Sequence, residues 1–424
     1  MTDPTRQAQL DEMTAELLDR YEELTLLYDL GASFASVLDV GSICSIAVEK
    51  ATRAIGADKG IVALEGDDDG VLYAAAMRGT DHLSPGGITE YVARTGRELL
   101  LHEDEPPPAG ASRDDTENGS VLSVPLLPPG DAPPLGALTL TAKHGAARFT
   151  SGDAKLANAV ATQLAAAVQR SRLVGSLQAA EAVRHEVEIA AGIQRSLLPG
   201  TPPVLEGVSI AALCVPAANV GGDYYDFSVD EKGRVSLVIA DVAGHSIGSA
   251  LMMAMARTIL RRELHEGSDP AAVIASTNEA LFDDLVRSAL FLTVFCVRFD
   301  PASGLLEYAN GGHNPPLLRR ASGELLELDA DGAAVGILRA VEFERGRVSL
   351  AHGDALLLYT DGVTEAMRAD GDQFGEDRLR EVFVDLSPQE LVETAYSAAR
   401  AHAGVGSSQG DDITLVALRA EAPH

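Results

Sequence analysis

Two short stretches decide the reading of this chain: Gly221-Gly222-Asp223-Tyr224-Tyr225-Asp226 and Asp241-Val242-Ala243-Gly244-His245. Between them, the apolar runs 227–229 and 235–240 are split by Glu231-Lys232-Gly233-Arg234. That pattern reads as two strands and a tight turn, a β-hairpin. A turn centred on Lys232 sets Asp223 directly opposite Asp241. Paired residues on adjacent antiparallel strands have Cβ atoms about 5 Å apart and share a face. Two carboxylates so placed repel each other and persist only with a proton or a cation between them. Oxygen ligands suit a hard divalent cation, Mg²⁺ or Mn²⁺. Asp226 is an odd number of residues from Asp223 and faces the other way along a regular strand. Asp223 is therefore the expected ligand.

Downstream, 204–420 alternates strands with two helical blocks. A helix rich in Ala, Met and Leu follows Gly244-His245 and runs through Leu264, with Met252, Met253 and Met255 expected in the core. Asp269-Pro270 reads as a helix start, Asp as cap and Pro in the first turn, and that helix runs to about Arg287. Strands over 290–299 and 305–309 pair across the turn 300–304, and 310–316 reads as a loop. The strand 355–360 ends at Asp361-Gly362, and Gly410-Asp411-Asp412 opens a final strand over 413–418. Four acidic sites therefore flank apolar strands: Asp223, Asp241, Asp361 and Asp411/Asp412. Any one of them is ordinary turn chemistry, Asp-Gly above all. Together, with the hairpin pairing, they call for a shared compensating charge.

Upstream, residues 5–30 read as a helix, with Leu10, Met13, Leu17, Tyr21, Leu24 and Tyr28 spaced by three and four, as in a short coiled coil or an amphipathic helix packed on its own domain. From 31 to about 170 the pattern is mixed α/β: a helix over 40–55 ended by Gly56, strands over 59–65, 71–77, 120–127 and 135–141, a polar turn over 66–70, a short helix over 88–95 and a helix from 154 to about 172. A second long helix is expected over 170–198, its seam formed by Leu173, Leu177, Ala180, Val187, Ala191 and Leu198 with Arg184 and Gln194 interrupting it. Pro199-Gly-Thr-Pro-Pro203 marks the boundary after it.

The chain has 424 residues, length for two or three domains. Its formal net charge of −30 argues against binding nucleic acid or anionic membranes. Cys44, Cys214 and Cys296 are far apart and in no metal-ligand spacing, so they read as buried thiols in a reducing compartment. No run approaches a membrane span and the N-terminus lacks a signal-peptide core, so a cytoplasmic location is expected.

Two resemblances cover most of the chain. The order and spacing of Gly56-Ala57-Asp58, 92–97, 120–126 and the 149–153 lead-in resemble a GAF sensory domain, which implies an unknown small-molecule or protein signal. Gly-Gly-Asp-Tyr-Tyr-Asp, Asp-Val-Ala-Gly-His, Tyr308-Ala-Asn-Gly-Gly-His313, Tyr359-Thr-Asp-Gly-Val363 and Gly410-Asp-Asp-Ile-Thr414 occur in the order seen in PP2C-like, metal-dependent Ser/Thr phosphatases of the stage II sporulation E and sigma-factor-regulator type. The segment 193–199 resembles the entry to that domain. The expected architecture is α+β: a possible coiled coil over 1–30, a GAF-like α/β domain over 31–170, a helical linker over 171–199 and an αββα sandwich over 200–420.

By that resemblance Asp223 and Asp241 bind two Mn²⁺ or Mg²⁺ ions, the Val242 carbonyl supplies another ligand, and Asp361 and Asp411 complete the set. Period-two alternation puts only one of Asp411 and Asp412 on the site face. Metal-activated water is then the nucleophile, and His245 is a candidate general acid, its alternative role being a hydrogen bond beside the metals. Ser246 stands where the family often has Gly. The substrate implied is a phosphoserine or phosphothreonine on an anti-sigma-factor antagonist in a partner-switching pathway, handled by a homodimer joined through the helices over 5–30 and 170–198. The competing reading is a non-catalytic binding or scaffold module with a metal site.

Overall fold

A computed structural model of the chain describes residues 13–14, 21, 24–66, 70–80, 82–113, 119–130, 132–143, 148–404 and 409–422. Much of the expected helix over 5–30, including Leu10 and Leu17, and most of the polar turn over 66–70 lie outside the described residues. The chain divides into two units, Met1–Ala182 and Val183–His424.

The first unit is built on a five-stranded antiparallel sheet in the order β2-β1-β5-β4-β3. Its strands are β1 (Ala57–Glu65), β2 (Leu72–Arg78), β3 (Leu99–Leu101), β4 (Val121–Pro125) and β5 (Gly136–Lys143). Helix α1 (Val40–Ile55) is capped at its start by the Asp39 carboxylate and stopped by Gly56 at φ 71°, a left-handed cap that costs glycine no Cβ clash. One sheet face packs against α1, the helical segment over 24–35 and the start of α3, burying Phe34, Ile43, Val48, Val62, Leu138, Leu140, Val160 and Leu164. The other face carries α2 (Ile88–Thr95) through Ile88, Val92 and Val121.

α3 corrects the expectation of two helices meeting near residue 170. It is one helix, Ser151–Leu197, of 47 residues. The apolar pattern changes at 170 because the helix leaves the first unit's core there, while the backbone meets no proline and the Ala, Glu, Gln, Arg and Leu residues that follow all favour helix.

The second unit is a four-layer αββα sandwich, as expected. One sheet runs β13-β10-β9-β8-β7 and the other β12-β11-β14-β15-β6. The first contains β7 (Asp223–Val229), β8 (Val235–Val242), β9 (Leu292–Asp300), β10 (Leu305–Gly311) and β13 (Gly346–Ser349). The second contains β6 (Val208–Val215), β11 (Leu317–Arg319), β12 (Leu325–Glu327), β14 (Ala355–Tyr359) and β15 (Ile413–Ala420). Strand alternation sorts the residues: Tyr225, Leu237, Ile239, Phe295 and Val297 meet Leu356, Leu358, Val416 and Leu418 between the sheets. Tyr224, Val238, Ala240 and Val242 pack outward under α4 (Ile247–Glu266) and α5 (Pro270–Ser288). Leu357, Leu415 and Ala417 pack outward beneath α7 (Gly375–Val382) and α8 (Pro388–Ala403); the single turn α6 is Asp361–Thr364.

Two local expectations change. Met252 and Met253 are buried, but Met255 is 43% exposed on the outer face of α4. The segment read as a loop over 310–316 begins in strand, since β10 continues through Gly311 opposite Val294. α5 starts at Asp269-Pro270 as predicted, with the Asp269 carboxylate accepting from Ala272 N–H at 3.2 Å.

Candidate active site

The hairpin closes as the sequence required. Asp230 Oδ1 accepts from the Lys232 and Arg234 N–H groups at 2.8 and 3.0 Å, and Gly233 sits at φ 75°. With that turn fixed, β7 and β8 pair Val229 with Val235 and, at the far end, Asp223 with Asp241. Both carboxylates share the inter-sheet face with Tyr225 and Ile239.

The other two carboxylates arrive from the second sheet. β14 and β15 are neighbours; Asp361 follows the end of β14 and opens α6, and Asp411 precedes β15. The groups feel one another. Asp223 is 4% exposed, and burial followed by the Asp241 charge holds its carboxyl well above the usual range. Burial, then the charges of Asp361, Asp411 and Asp412, pushes Asp241 up to about 7. Burial, then Asp411 and Glu365, raises Asp361. Carboxyl oxygens of Asp361, Glu365 and Asp411 lie within 4.8 Å of one another. Burial and neighbouring carboxylates thus raise Asp223, Asp241 and Asp361, and the all-oxygen donor set fits a hard divalent cation.

Glu365 escaped the sequence reading. The sequence puts Asp361 at a strand end; the structure adds one helical turn from that point, and positions i and i+4 of a turn share a face. Its spacing from Asp361 was the available signal.

Asp411 and Asp412 separate into two roles. Asp412 is 3% exposed, and its Oδ1 and Oδ2 accept from the Ala217 and Gly222 N–H groups at 2.8 and 2.7 Å. Each of its oxygens thus holds a backbone N–H of the loop before β7, while Asp411 lies with Asp361 and Glu365; the charges of both Asp411 and Asp412 act on Asp241. Asp226 divides from Asp223 in the same way: it accepts from the Tyr224 hydroxyl at 2.6 Å and pairs with Arg261 at 3.1 Å on the helix-facing side. Thr360, fully buried, donates its hydroxyl to Asp223 Oδ2 at 2.9 Å and accepts from Thr414 N–H at 2.9 Å. It ties a ligand candidate of one sheet to the edge of the other.

The Val242 carbonyl faces Gly222, where a Cβ would approach it to 2.4 Å. It therefore lies beside the loop that carries Asp223, while the Val242 side chain is buried under the helices. His245 is exposed in the segment between β8 and α4, and no described interaction joins it to the carboxylates. Ser246 caps α4, its hydroxyl accepting from Ser249 N–H at 3.2 Å; the residue in place of the family's usual Gly thus has a structural use. His313 is buried and bonded through Nδ1 to Thr293 Oγ1 at 2.8 Å, and burial, opposed by the Tyr359 backbone, pushes it down to about 4. It is a neutral structural histidine. Burial pushes the thiols of Cys44, Cys214 and Cys296 up to about 12, which makes thiolate nucleophiles of none of them.

Both units of the chain are similar to known proteins. The Stage II sporulation protein E profile matches residues 231–421 and a GAF domain profile matches residues 37–169. Phosphoserine phosphatase RsbU of Bacillus subtilis (strain 168) is 31% identical over 240 residues, spanning 56% of this chain and 70% of RsbU. Phosphoserine phosphatase RsbP of the same organism is 29% identical over 186 residues, spanning 43% of this chain and 46% of RsbP. The SiaA-PP2C domain of Pseudomonas aeruginosa superimposes with a TM-score of 0.49 at 27% identity, over 57% of this chain and 98% of that domain. With a GAF domain at its N-terminal side and similarity to RsbU over more than two thirds of that phosphatase, the chain belongs to the stage II sporulation protein E family of PP2C-like phosphatases.

Proposed function

We propose that the chain is a sensor-regulated, metal-dependent phosphatase acting on a phosphoserine or phosphothreonine of an anti-sigma-factor antagonist in a partner-switching pathway. The observation that carries this reading is the opposition of Asp223 and Asp241 on one hairpin, facing Asp361 and Asp411 from the second sheet. Asp223, Asp241, Asp361, Asp411 and the Val242 carbonyl would hold two Mn²⁺ or Mg²⁺ ions, with Glu365 at the margin. When bound, the ions supply Lewis-acid polarisation of a phosphoryl oxygen and acidification of the attacking water.

The chain's own residues do the rest. Thr360 orients Asp223 through a hydrogen bond to one carboxylate oxygen. His245, exposed at the start of α4, is assigned as general acid to the leaving serine or threonine oxygen. No cysteine competes as nucleophile, given the raised thiol pKa values.

The GAF domain would receive a small-molecule or protein signal. Leu173 and Leu177 of α3 are 57% and 68% exposed, which supports a homodimer joined along that helix. Among the described residues no helix is long and apolar enough to cross a membrane, in keeping with a cytoplasmic location.

The test is hydrolysis of an aryl phosphate with Mn²⁺, with Mg²⁺ and with chelator, beside Asp361→Asn. Metal-dependent turnover abolished by the substitution supports the phosphatase. Bound metal without turnover, in the full chain and in a 200–424 fragment, would replace it with the scaffold reading.

A further inference from the structure

The segment entering the phosphatase domain, Ile193-Gln-Arg-Ser-Leu-Leu-Pro199, has no part in the chemistry above, yet one of its side chains reaches the site. Gln194 lies in the last turn of α3. Its Nε2 donates to the Gly221 carbonyl at 2.6 Å, and its Oε1 accepts from the Gly221 N–H at 3.0 Å. The two bonds fix which end of the amide is which. A primary amide is the one side chain that offers a donor and an acceptor in the fork needed to pair both polar groups of a single peptide residue.

Gly221 is two residues from Asp223. Its neighbour Gly222 donates to Asp412 at 2.7 Å, and its carbonyl accepts from Val242 N–H at 3.3 Å. Neither glycine tolerates a side chain: a Cβ at Gly221 would approach Asp412 Oδ2 to 2.1 Å, and one at Gly222 the Val242 carbonyl to 2.4 Å. The backbone just before Asp223 is thus held by three clamps, Asp412, Val242 and Gln194. A small cavity lined by Gln194, Leu198, Cys214, Met253 and Asp223 lies beside the carboxylate. The helix end that supplies Gln194 is itself anchored, with Arg257 Nε donating to the Leu197 carbonyl at 2.7 Å and Leu198 packed against the buried cores on both faces of the β7 sheet.

We propose that Gln194 is a positioning residue that holds the Gly221-Gly222 loop, and through it Asp223, in the geometry that binds metal. The last turn of α3 thereby becomes part of the metal site's support. This rests on the metal-dependent reading above.

Gln194→Met keeps length and helix propensity and removes both bonds; Gln194→Ala removes the side chain as well. Gln178→Met, at an exposed position of the same helix, is the control. Mn²⁺ binding to each full-length protein is measured by titration calorimetry, and thermal unfolding is followed in chelator. The expected result is Mn²⁺ affinity weakened on the order of tenfold in both Gln194 variants, on the scale of a lost hydrogen bond, beside at most a small drop in melting temperature in chelator, with Gln178→Met like the parent in both readouts. The Mn²⁺ concentration for half-maximal aryl phosphate hydrolysis should rise by the same factor. Parent-like Mn²⁺ affinity in Gln194→Met would overturn the proposal, as would a loss confined to the melting temperature in chelator. A parent protein that binds no Mn²⁺ would instead overturn the metal-dependent reading beneath it.

Discussion

The two ends of one acidic cluster on β7 make a controlled comparison. Asp223 and Asp226 are three residues apart, 4% and 3% exposed, and chemically identical. Asp226 is complete within the chain: a tyrosine hydroxyl, the Phe227 N–H and the Arg261 guanidinium account for its charge and oxygens. Asp223 faces Asp241 and receives one hydroxyl, from Thr360. Burial alone therefore does not mark a functional carboxylate. The distinguishing feature is whether the surrounding protein supplies the opposite charge. Where it supplies more negative charge instead, as at Asp223, the site suits a cation.

The largest expected effect comes from removing that distinction at Asp223. Asp223→Asn should lower Mn²⁺-dependent aryl phosphate hydrolysis by about three orders of magnitude, the scale expected when electrostatic stabilisation at the reacting centre is lost. The same variant should melt higher than the parent in chelator, because it relieves the repulsion with Asp241. A lower melting temperature there would break the comparison.

Asp226→Asn is the mirror experiment. It should destabilise the protein by about 1–2 kcal/mol in urea, at the low end for a broken buried pair because Arg261 is 40% exposed and can turn to solvent. Its Mn²⁺ affinity should stay within about twofold of the parent. If Asp226→Asn instead lost metal, the two faces of β7 would not be separate.

His313 sharpens the contrast with a buried group that stays neutral. Its pKa falls from 6.5 to about 4 in the fold. The unfolded chain then binds more protons between those values, so stability is fully present above about 6.5 and is lost as pH falls toward 4. For this one group the loss between pH 7 and 5.5 is about 1 kcal/mol. Urea midpoints of the metal-loaded protein at the two pH values, beside His313→Gln, would show the slope and its removal.

The smallest effect is expected at Ser246. Its hydroxyl caps α4, and serine-to-glycine changes at such a cap cost a few tenths of a kcal/mol. Ser246→Gly should leave hydrolysis within about twofold; a large loss would place the start of α4 in the metal site's support alongside Thr360.

Local rules carried a large part of this outcome. Gly56 ended α1, Asp269-Pro270 started α5, and a turn of known length set the hairpin register that opposes Asp223 and Asp241. What local rules missed has a common cause. Met255 belongs to an apolar run, but only the position of the sheet decides which flank of α4 is covered. Glu365 and Asp412 look like any acidic residue until α6 turns one toward the cluster and the loop before β7 occupies the other.

By itself, then, the sequence determined the two resemblances, the longer strands such as β1, β5, β7, β8, β9 and β14, and the Asp223–Asp241 pair, because turn length and period-two alternation act over a few residues and carry their own geometry. The tertiary structure alone decided that Asp361 and Asp411 come from a second sheet to the same point, that Asp412 holds the loop before β7, and that Gln194 of α3 reaches that loop. Those contacts link residues tens to nearly two hundred positions apart, and no local periodicity encodes a separation that only the packing of two sheets brings together.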